Sequence, residues 1–319
     1  MNLRIGIIGA TGIIGRELVF QLDSLNYQIA LFASPKSSTK SIAINDKIFA
    51  IQPISPEIFS KLDIAIFATS ATISAELIPS AVQSGCRVID LSDHYRLAKN
   101  VPLFLTNLST ENIINVPIVA CPNCTTSLLM KVLYPLHQKF SLDRFFACTY
   151  QSVSGAGARA VEEWKSEITD GNFAPKVFQK TIAHNCIPQI GKIENNDYSE
   201  EENSIINESR KILNLPELKI SATCVRVSCK RSHGIALTAQ FNKKITPEAA
   251  VQELLNHPEL RHECKTPHEC QGDDKIYFSR VRRDNILNNA ISIWITGDQI
   301  LAGTIPNVVR IISAIQAAF

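Results

Sequence analysis

The sequence predicts an α/β protein of two domains. An N-terminal domain of βαβ units with a parallel sheet is followed by a second, α+β domain with a mixed or antiparallel sheet. Three observations lead there. The chain has 319 residues, more than one ordinary core organises. Its first third alternates short apolar runs with stretches of helical periodicity, the pattern of βαβ units. Beyond the helix that opens at Cys124, the apolar runs lengthen, alternate more, and are separated by fewer helices.

Taken in order, "LRIGIIG" is a buried strand and "GIIGRELVFQLDSL" an amphipathic helix. "QIALFAS", "DIAIFAT" and "CRVIDLS" are further buried strands, and "SAELIPSAVQSG" is a helix ending at Gly85. "CPNCTTSLLMKVLYPLHQKF" contains the next helix. "DRFFACTYQSVSG", "KISATCVRVSC", "GIALTAQF", "KIYFSRVRR" and "ISIWITG" are the longer strands of the second domain, with "ARAVEEWKSEI" and "TPEAAVQELLNH" as helices. The polar stretch "GKIENNDYSEEENS" reads as a loop leading into a helix. The final "NVVRIISAIQAAF" is an amphipathic helix expected to return to the first domain. The expected boundaries are 1–122 completed by 304–319, and 123–303.

A net charge of +2 provides no field for a polyanion, so nucleic acid is excluded as a partner. No stretch approaches the roughly 18 apolar residues of a membrane span, and "MNLRIGIIGATG" reads as a strand rather than a signal peptide. Nine scattered cysteines suit a reduced, cytoplasmic setting better than a disulfide framework.

"GATGIIG" places Gly9, Gly12 and Gly15 between the first strand and its helix. Positions without a Cβ let helix N-terminal amides approach a pyrophosphate. An NAD site carries an acid at the end of the second strand for the ribose hydroxyl. Here "FASPKSSTKS" offers Ser34, Lys36, Ser37, Ser38 and Lys40 instead, which suits the 2′-phosphate of NADP.

"VACPNCTTSL" sets Cys121 and Cys124 three apart. A redox dithiol, half of a zinc site, and one catalytic thiol with a neighbour all share that spacing. Cys124 opens a helix directly after a strand, where the helix dipole favours a thiolate. Cys86, Cys148, Cys186 and Cys224 read as structural.

With "GATGIIG", "PNCTT", "TYQSVSGAG", "NCIPQIG" and "TCVRV" followed by a histidine, in this order, nearly the whole chain resembles the aspartate-semialdehyde dehydrogenase family. The resemblance implies NADPH-dependent conversion of aspartyl phosphate to aspartate semialdehyde, on the way to lysine, diaminopimelate, threonine and methionine. It also implies the family's fold, an N-terminal Rossmann-type parallel sheet domain plus an α+β catalytic and dimerisation domain with a mixed sheet, and a homodimer or homotetramer. By position, Cys124 matches the nucleophile, Gln151 the glutamine that positions the thioacyl group, and His233 the acid/base histidine. Arg96 and Asn123 match phosphate-binding residues, Arg226 the clamp on the substrate carboxylate, and Glu201 the acid that meets the substrate amine. The implied cofactor set is Gly9, Thr11, Gly12, Ile13, Ser34, Lys36, Ser37, Ser154, Gly155 and Asn307, with no metal.

The chain departs from the family in places. Ser204 stands where a lysine is usual, Ser109 where an asparagine is usual, and "DQILAGTIPN" where "DNLRKGAALN" is usual. Cys121 replaces a common asparagine and reads as a buried small hydrophobe. Its place before the nucleophile also allows a disulfide with Cys124 on oxidation. "VIDLSDHYRL" equally resembles the sister family, N-acetyl-γ-glutamyl-phosphate reductase; an acid at 201 favours a substrate with a free ammonium. A catalytically inactive paralogue acting as a binding protein is the remaining alternative, opposed by the joint presence of Cys124, Gln151, Arg226 and His233. "RHECKTPHEC" gathers His262, Cys264, His268 and Cys270 at a spacing that matches no common zinc site.

Overall fold

A computed structural model describes residues 3–35, 41–44, 47–108, 113–171 and 174–317. The chain divides into two compact units, 1–123 with 304–319, and 124–303.

The first unit holds strands β1 (Arg4–Ile8), β2 (Gln28–Ala33), β3 (Ser41–Ile44), β4 (Lys47–Pro53), β5 (Ile64–Phe67), β6 (Arg87–Asp90) and β7 (Ile118–Ala120), in the spatial order β3-β4-β2-β1-β5-β6-β7. All pairs are parallel except β3 with β4. The central strands are buried along almost their whole length, as a sheet covered on both faces requires. Helices α1 (Ile13–Ser24) and α2 (Ala71–Gln83) are the crossovers, and α2 runs out just before Gly85, whose φ of +83° suits a residue without a Cβ. The sequence reading has no counterpart to β3 and β4. Their residues are largely exposed, so they lack the continuous apolar run that marks the inner strands.

The second unit is contiguous. It contains α3 (Cys124–Phe140), β8 (Leu142–Gln151), α4 (Ala158–Thr169), β9 (Cys186–Ile187), α5 (Glu200–Leu213), β10 (Lys219–Val227), β11 (His233–Phe241), α6 (Pro247–Leu255), β12 (Leu260–His262), β13 (Ile276–Arg283) and β14 (Ala290–Gly297). The sheet order is β12-β13-β14-β11-β8-β10-β9. Pairings of β10 with β8 and of β12 with β13 are parallel; the others are antiparallel. α3 packs across this sheet and is buried nearly all round, with Leu128, Leu129, Met130, Val132, Leu133 and Leu136 fully enclosed. The predicted strands of this domain are present, and its sheet is mixed.

A π-helical turn, Gln299–Thr304, follows β14. It lies on the first turns of α3: a Cβ built on Gly303 would meet the Cys124 carbonyl oxygen at 3.4 Å. The buried Lys131 of α3 donates from Nζ to the Ala302 carbonyl at 2.7 Å, and burial lowers its pKa to about 8. α7 (Ile305–Gln316) then belongs to the first unit and packs on α1; its Ile305, Val308, Ile311, Ile312 and Ile315 are buried, a stripe of helical period. Pro306 sits in its first turn, where a missing N–H is harmless.

Candidate active site

Register, rather than sequence proximity, assembles the site of the second unit. β8 lies between β10 and β11, and Gln151 at its end is directly opposite Arg226 on one side and His233 on the other. Residues aligned across a sheet point to the same face, so the three form one row. All three are buried.

Cys124, the first residue of α3, brings its Sγ to 3.7 Å from His233 Nε2. Glu201 comes from the first turn of α5, where Gln151 Nε2 donates to Glu201 Oε1 at 2.9 Å. The Thr149 hydroxyl donates to Gln151 Oε1 at 2.9 Å, so the amide is fixed with its carbonyl toward Thr149 and its NH2 toward the acid. Arg226 Nη1 donates to the Ser152 carbonyl at 2.7 Å. Burial works against the Arg226 charge, while nearby Glu201 and Cys124 support it. His233 is held neutral: burial, and then the Arg226 charge, lower its pKa to about 3.

After Gln151 the chain makes a short 3-10 turn, Val153–Ala156, held by Val153 and Ser154 amides on the Cys229 and Lys230 carbonyls. A Cβ on Gly155 would stand 2.8 Å from Arg226 Nη1 and 3.5 Å from His233 Nε2. The absent side chain is therefore what lets this turn close over the arginine and histidine. Ser154 is buried and accepts from Gln299 Nε2.

In the first unit, Gly9 leaves β1 with a φ of +87°, and a Cβ there would strike the Ala68 carbonyl at 2.3 Å. Gly12, by contrast, has only the Gly9 carbonyl nearby, at 3.4 Å, so its surroundings are open at the start of α1, the helix that begins with Ile13. Gly9, Thr11, Gly12, Ser34, Pro35, Thr69 and neighbouring apolar residues line a cleft of about 520 Å³. The room, the helix N-terminus and the Ser34 hydroxyl fit a dinucleotide. Lys36, Ser37, Ser38 and Lys40 lie outside the described residues, as does Ser109.

Arg96 is anchored within the first unit, from Nε to the Cys121 carbonyl and from Nη2 to the Leu91 carbonyl, each at 3.0 Å. Asn123 is buried at the end of this unit. Asn307, expected at the cofactor, makes its bonds within the first unit. Its Oδ1 accepts from the Thr106 amide and hydroxyl, and its Nδ2 donates to the Phe104 carbonyl and to Cys121 Sγ. Cys121 is itself buried, its thiol pushed up to about 12 by burial, which keeps it protonated.

Three participants escaped the sequence reading: Thr149, Ser152 and Gln299. Thr149 is two residues before Gln151 on the same strand face, which alternation could have revealed. The other two act through backbone turns with no periodic signature. Among the described residues, no three metal-ligating side chains gather. His262 stacks on Phe278, and Cys270 is buried with its thiol raised to about 11.

Residues 4–116 match the family description "Semialdehyde dehydrogenase, NAD binding domain", and residues 133–302 match "Semialdehyde dehydrogenase, dimerisation domain". An aspartate-semialdehyde dehydrogenase of Rickettsia conorii is 36% identical, covering 96% of this chain and 96% of its own. One from Aquifex aeolicus is 32% identical, covering 98% and 97%. Aspartate semialdehyde dehydrogenase II from Vibrio cholerae superposes with a TM-score of 0.94 over 99% of both chains at 29% identity, and a second structure of that protein is a complex with ASA.

Proposed function

The chain belongs to the aspartate-semialdehyde dehydrogenase family, and on that premise we propose that it reductively dephosphorylates aspartyl 4-phosphate to aspartate semialdehyde through a thioester on Cys124. The observation that supports this most is the row Arg226–Gln151–His233 with Cys124 Sγ 3.7 Å from the imidazole and Glu201 on the glutamine.

Each side chain has a matching task. The Cys124 thiolate displaces phosphate from the acyl carbon and forms the thioester. Gly9, Thr11, Gly12 and Ser34 would hold a nicotinamide cofactor, which would supply the hydride that reduces the thioester. The resulting hemithioacetal anion expels the Cys124 sulfur, releasing aldehyde and thiolate. His233, with Nε2 3.7 Å from the sulfur, is the proposed acid/base that handles the proton. Gln151 orients the acyl group, and Arg226 takes the substrate carboxylate in its planar fork. Glu201 takes the ammonium. Arg96 and Asn123 are the proposed phosphate contacts. NADP is the proposed form of the cofactor, since β2 ends in Ser34 rather than an acid and the next residues include Lys36.

We also propose a homodimer in a reducing compartment, the cytoplasm. All nine cysteines are free, and no described helix is long and apolar enough to cross a membrane. One face of the second sheet carries α3 and α5; the other leaves a cleft of about 540 Å³ lined by Phe146, Tyr150, Trp294, Arg280 and Arg282. Phe146 is 45% exposed there.

The test is phosphate-dependent reduction of NADP or NAD with aspartate semialdehyde, beside N-acetylglutamate semialdehyde. Activity should favour the free amino acid and NADP, and Cys124→Ala should abolish it. Turnover retained in that variant would overturn the assignment.

A further inference from the structure

We infer, resting on the nicotinamide-cofactor reading above, that Thr69 is a cofactor-binding residue that offers the dinucleotide a hydrogen-bond acceptor, and that it reads an N–H or O–H of the adenosine half rather than a phosphate.

Thr69 stands two residues past β5 and two before α2. The sheet runs outward from β1 to β2 on one side and to β5 on the other, so strand order reverses between β1 and β5. Ligands of open α/β sheets settle in the crevice beyond the strand ends at such a point. Thr69 lines the cleft there, with Gly9, Gly12, Ser34, Ile73 and Leu77. A threonine beside a glycine turn is ordinarily read as a hydroxyl donor to the diphosphate. Two observations oppose that here.

The first is the direction of the side chain. A Cβ built on Gly9 would meet Thr69 Cγ2 at 3.1 Å, so the group that Thr69 turns toward the glycine is its methyl. Its Oγ1 lies 3.2 Å from the Oγ of Ser74, in the first turn of α2. Ser74 is the one partner of that hydroxyl among the described residues.

The second is the direction of the proton. Asp90, at the end of β6, is fully buried, and so is Ser74. The Ser92 amide and the Ser74 hydroxyl both donate to Asp90 Oδ1 at 3.0 Å, and the Ser92 hydroxyl donates to Oδ2 at 2.9 Å. A serine hydroxyl has one hydrogen. Turning the Ser74 hydrogen to Thr69 would leave two buried oxygens 3.0 Å apart with none between them, one of them on a carboxylate. Ser74 therefore meets Thr69 with a lone pair, and the hydrogen in that contact belongs to Thr69. With its hydrogen directed inward, Thr69 Oγ1 keeps only the capacity to accept.

A diphosphate is a set of acceptors and has no hydrogen to give it. The adenosine half has several: the ribose hydroxyls and the 6-amino group of adenine. The same cleft suits that half, since Ile54, Pro56, Ile73 and Leu77 give it apolar walls for a purine. Thr69 thus adds to the affinity for the cofactor and takes no part at the reacting carbon.

The test is binding without substrate. NADPH fluorescence titrations compare the wild type with Thr69→Val, which keeps the shape and removes the oxygen, and with Thr69→Ser, which keeps the oxygen. Thr69→Val should weaken NADPH about fivefold, within the range of one hydrogen bond, and Thr69→Ser by less than about twofold. Displacement of NADPH by fragments locates the contact. 2′,5′-ADP should show the same loss in Thr69→Val, and inorganic pyrophosphate none, which also shows that the variant is folded. The hypoxanthine analogue of NADPH, which lacks the 6-amino group, separates the two donors. If the amine is read, the wild type binds the analogue at least about fivefold more weakly than NADPH, and Thr69→Val narrows that gap. If a ribose hydroxyl is read, Thr69→Val weakens the analogue and NADPH alike. Either pattern supports the acceptor role. Unchanged NADPH affinity in Thr69→Val, a loss for pyrophosphate as large as for 2′,5′-ADP, or a Thr69→Ser protein as weak as Thr69→Val overturns it. A wild type that binds neither NADPH nor NADH overturns it together with the cofactor reading, whereas the aldehyde assay can fail with this binding pattern intact.

Discussion

Gly155 shows how a single missing Cβ governs two charged or polar partners. A methyl there would press on Arg226 Nη1 at 2.8 Å, and Arg226 is buried and tied to the Ser152 carbonyl, so it has little room to yield. Gly155→Ala should raise KM for aspartate semialdehyde about tenfold, since one charge-assisted contact is worth about 1.5–3 kcal/mol. Steady-state kinetics with the folded variant check it; an unchanged KM would mean that Arg226 does not hold the carboxylate. His233 makes a second prediction. Its pKa is lowered to about 3 in the folded chain, against 6.5 ordinarily. Between those values the unfolded state binds a proton that the folded state does not, so this group's contribution to stability is lost as pH falls through that window. The slope approaches about 1.4 kcal/mol per pH unit. Denaturant unfolding followed from about pH 7 to about pH 5 should show a steeper loss in the wild type than in His233→Gln. Cys124, Gln151, Arg226 and His233 were legible because each sits in a short motif of fixed residue types. Ser152 and Gln299 were not, because their directions are set by backbone groups brought close only by folding: the Gln299 amide by Ser232, 67 residues away.

At the scale of one element, α5 shows an acidic run doing three separate things. Glu200 Oε2 accepts from the Lys192 amide, Glu201 meets Gln151, and Glu202 closes a capping box with Ser199 while also accepting from the Cys224 amide. By sequence alone that run reads as a solvated helix start; Glu202 is in fact buried. Periodicity cannot separate the two cases, because a capping acid and a surface acid look alike until the strand beside them is placed. Ser204 follows Glu201 by three residues, hence lies on the same face one turn on. Ser204→Lys puts a cation there and should lower KM for phosphate, by an amount corresponding to at most about 1.5–3 kcal/mol. Phosphate-dependence curves of the two proteins decide it; identical curves would show that another cation already serves.

For the molecule as a whole, the division into a parallel sheet and a mixed sheet could be read from the apolar pattern, since continuous runs mark strands buried on both faces and alternation marks strands with one. The β3–β4 pair could not, because exposed edge strands leave little apolar trace. The open face of the second sheet makes the remaining prediction. Phe146→Asp places a charge in the middle of the proposed subunit contact, where a desolvated, unpaired carboxylate is costly. Sedimentation should show dimers for the wild type and monomers for the variant at matched concentration; a monomeric wild type, or an unaffected variant, would remove this face from consideration.

The second unit is one unbroken stretch, whereas the first is closed by α7, which packs on α1 and whose Asn307 clasps Thr106, Phe104 and Cys121. On the ribosome these pieces emerge in a fixed order. Strands β1 to β7 appear first but lack the helix that covers α1. The whole of the second unit is synthesised before that helix arrives. The nascent first unit therefore lacks both the cover on α1 and the Asn307 bonds until its insert has been made, and the domain that begins first is the one that finishes last.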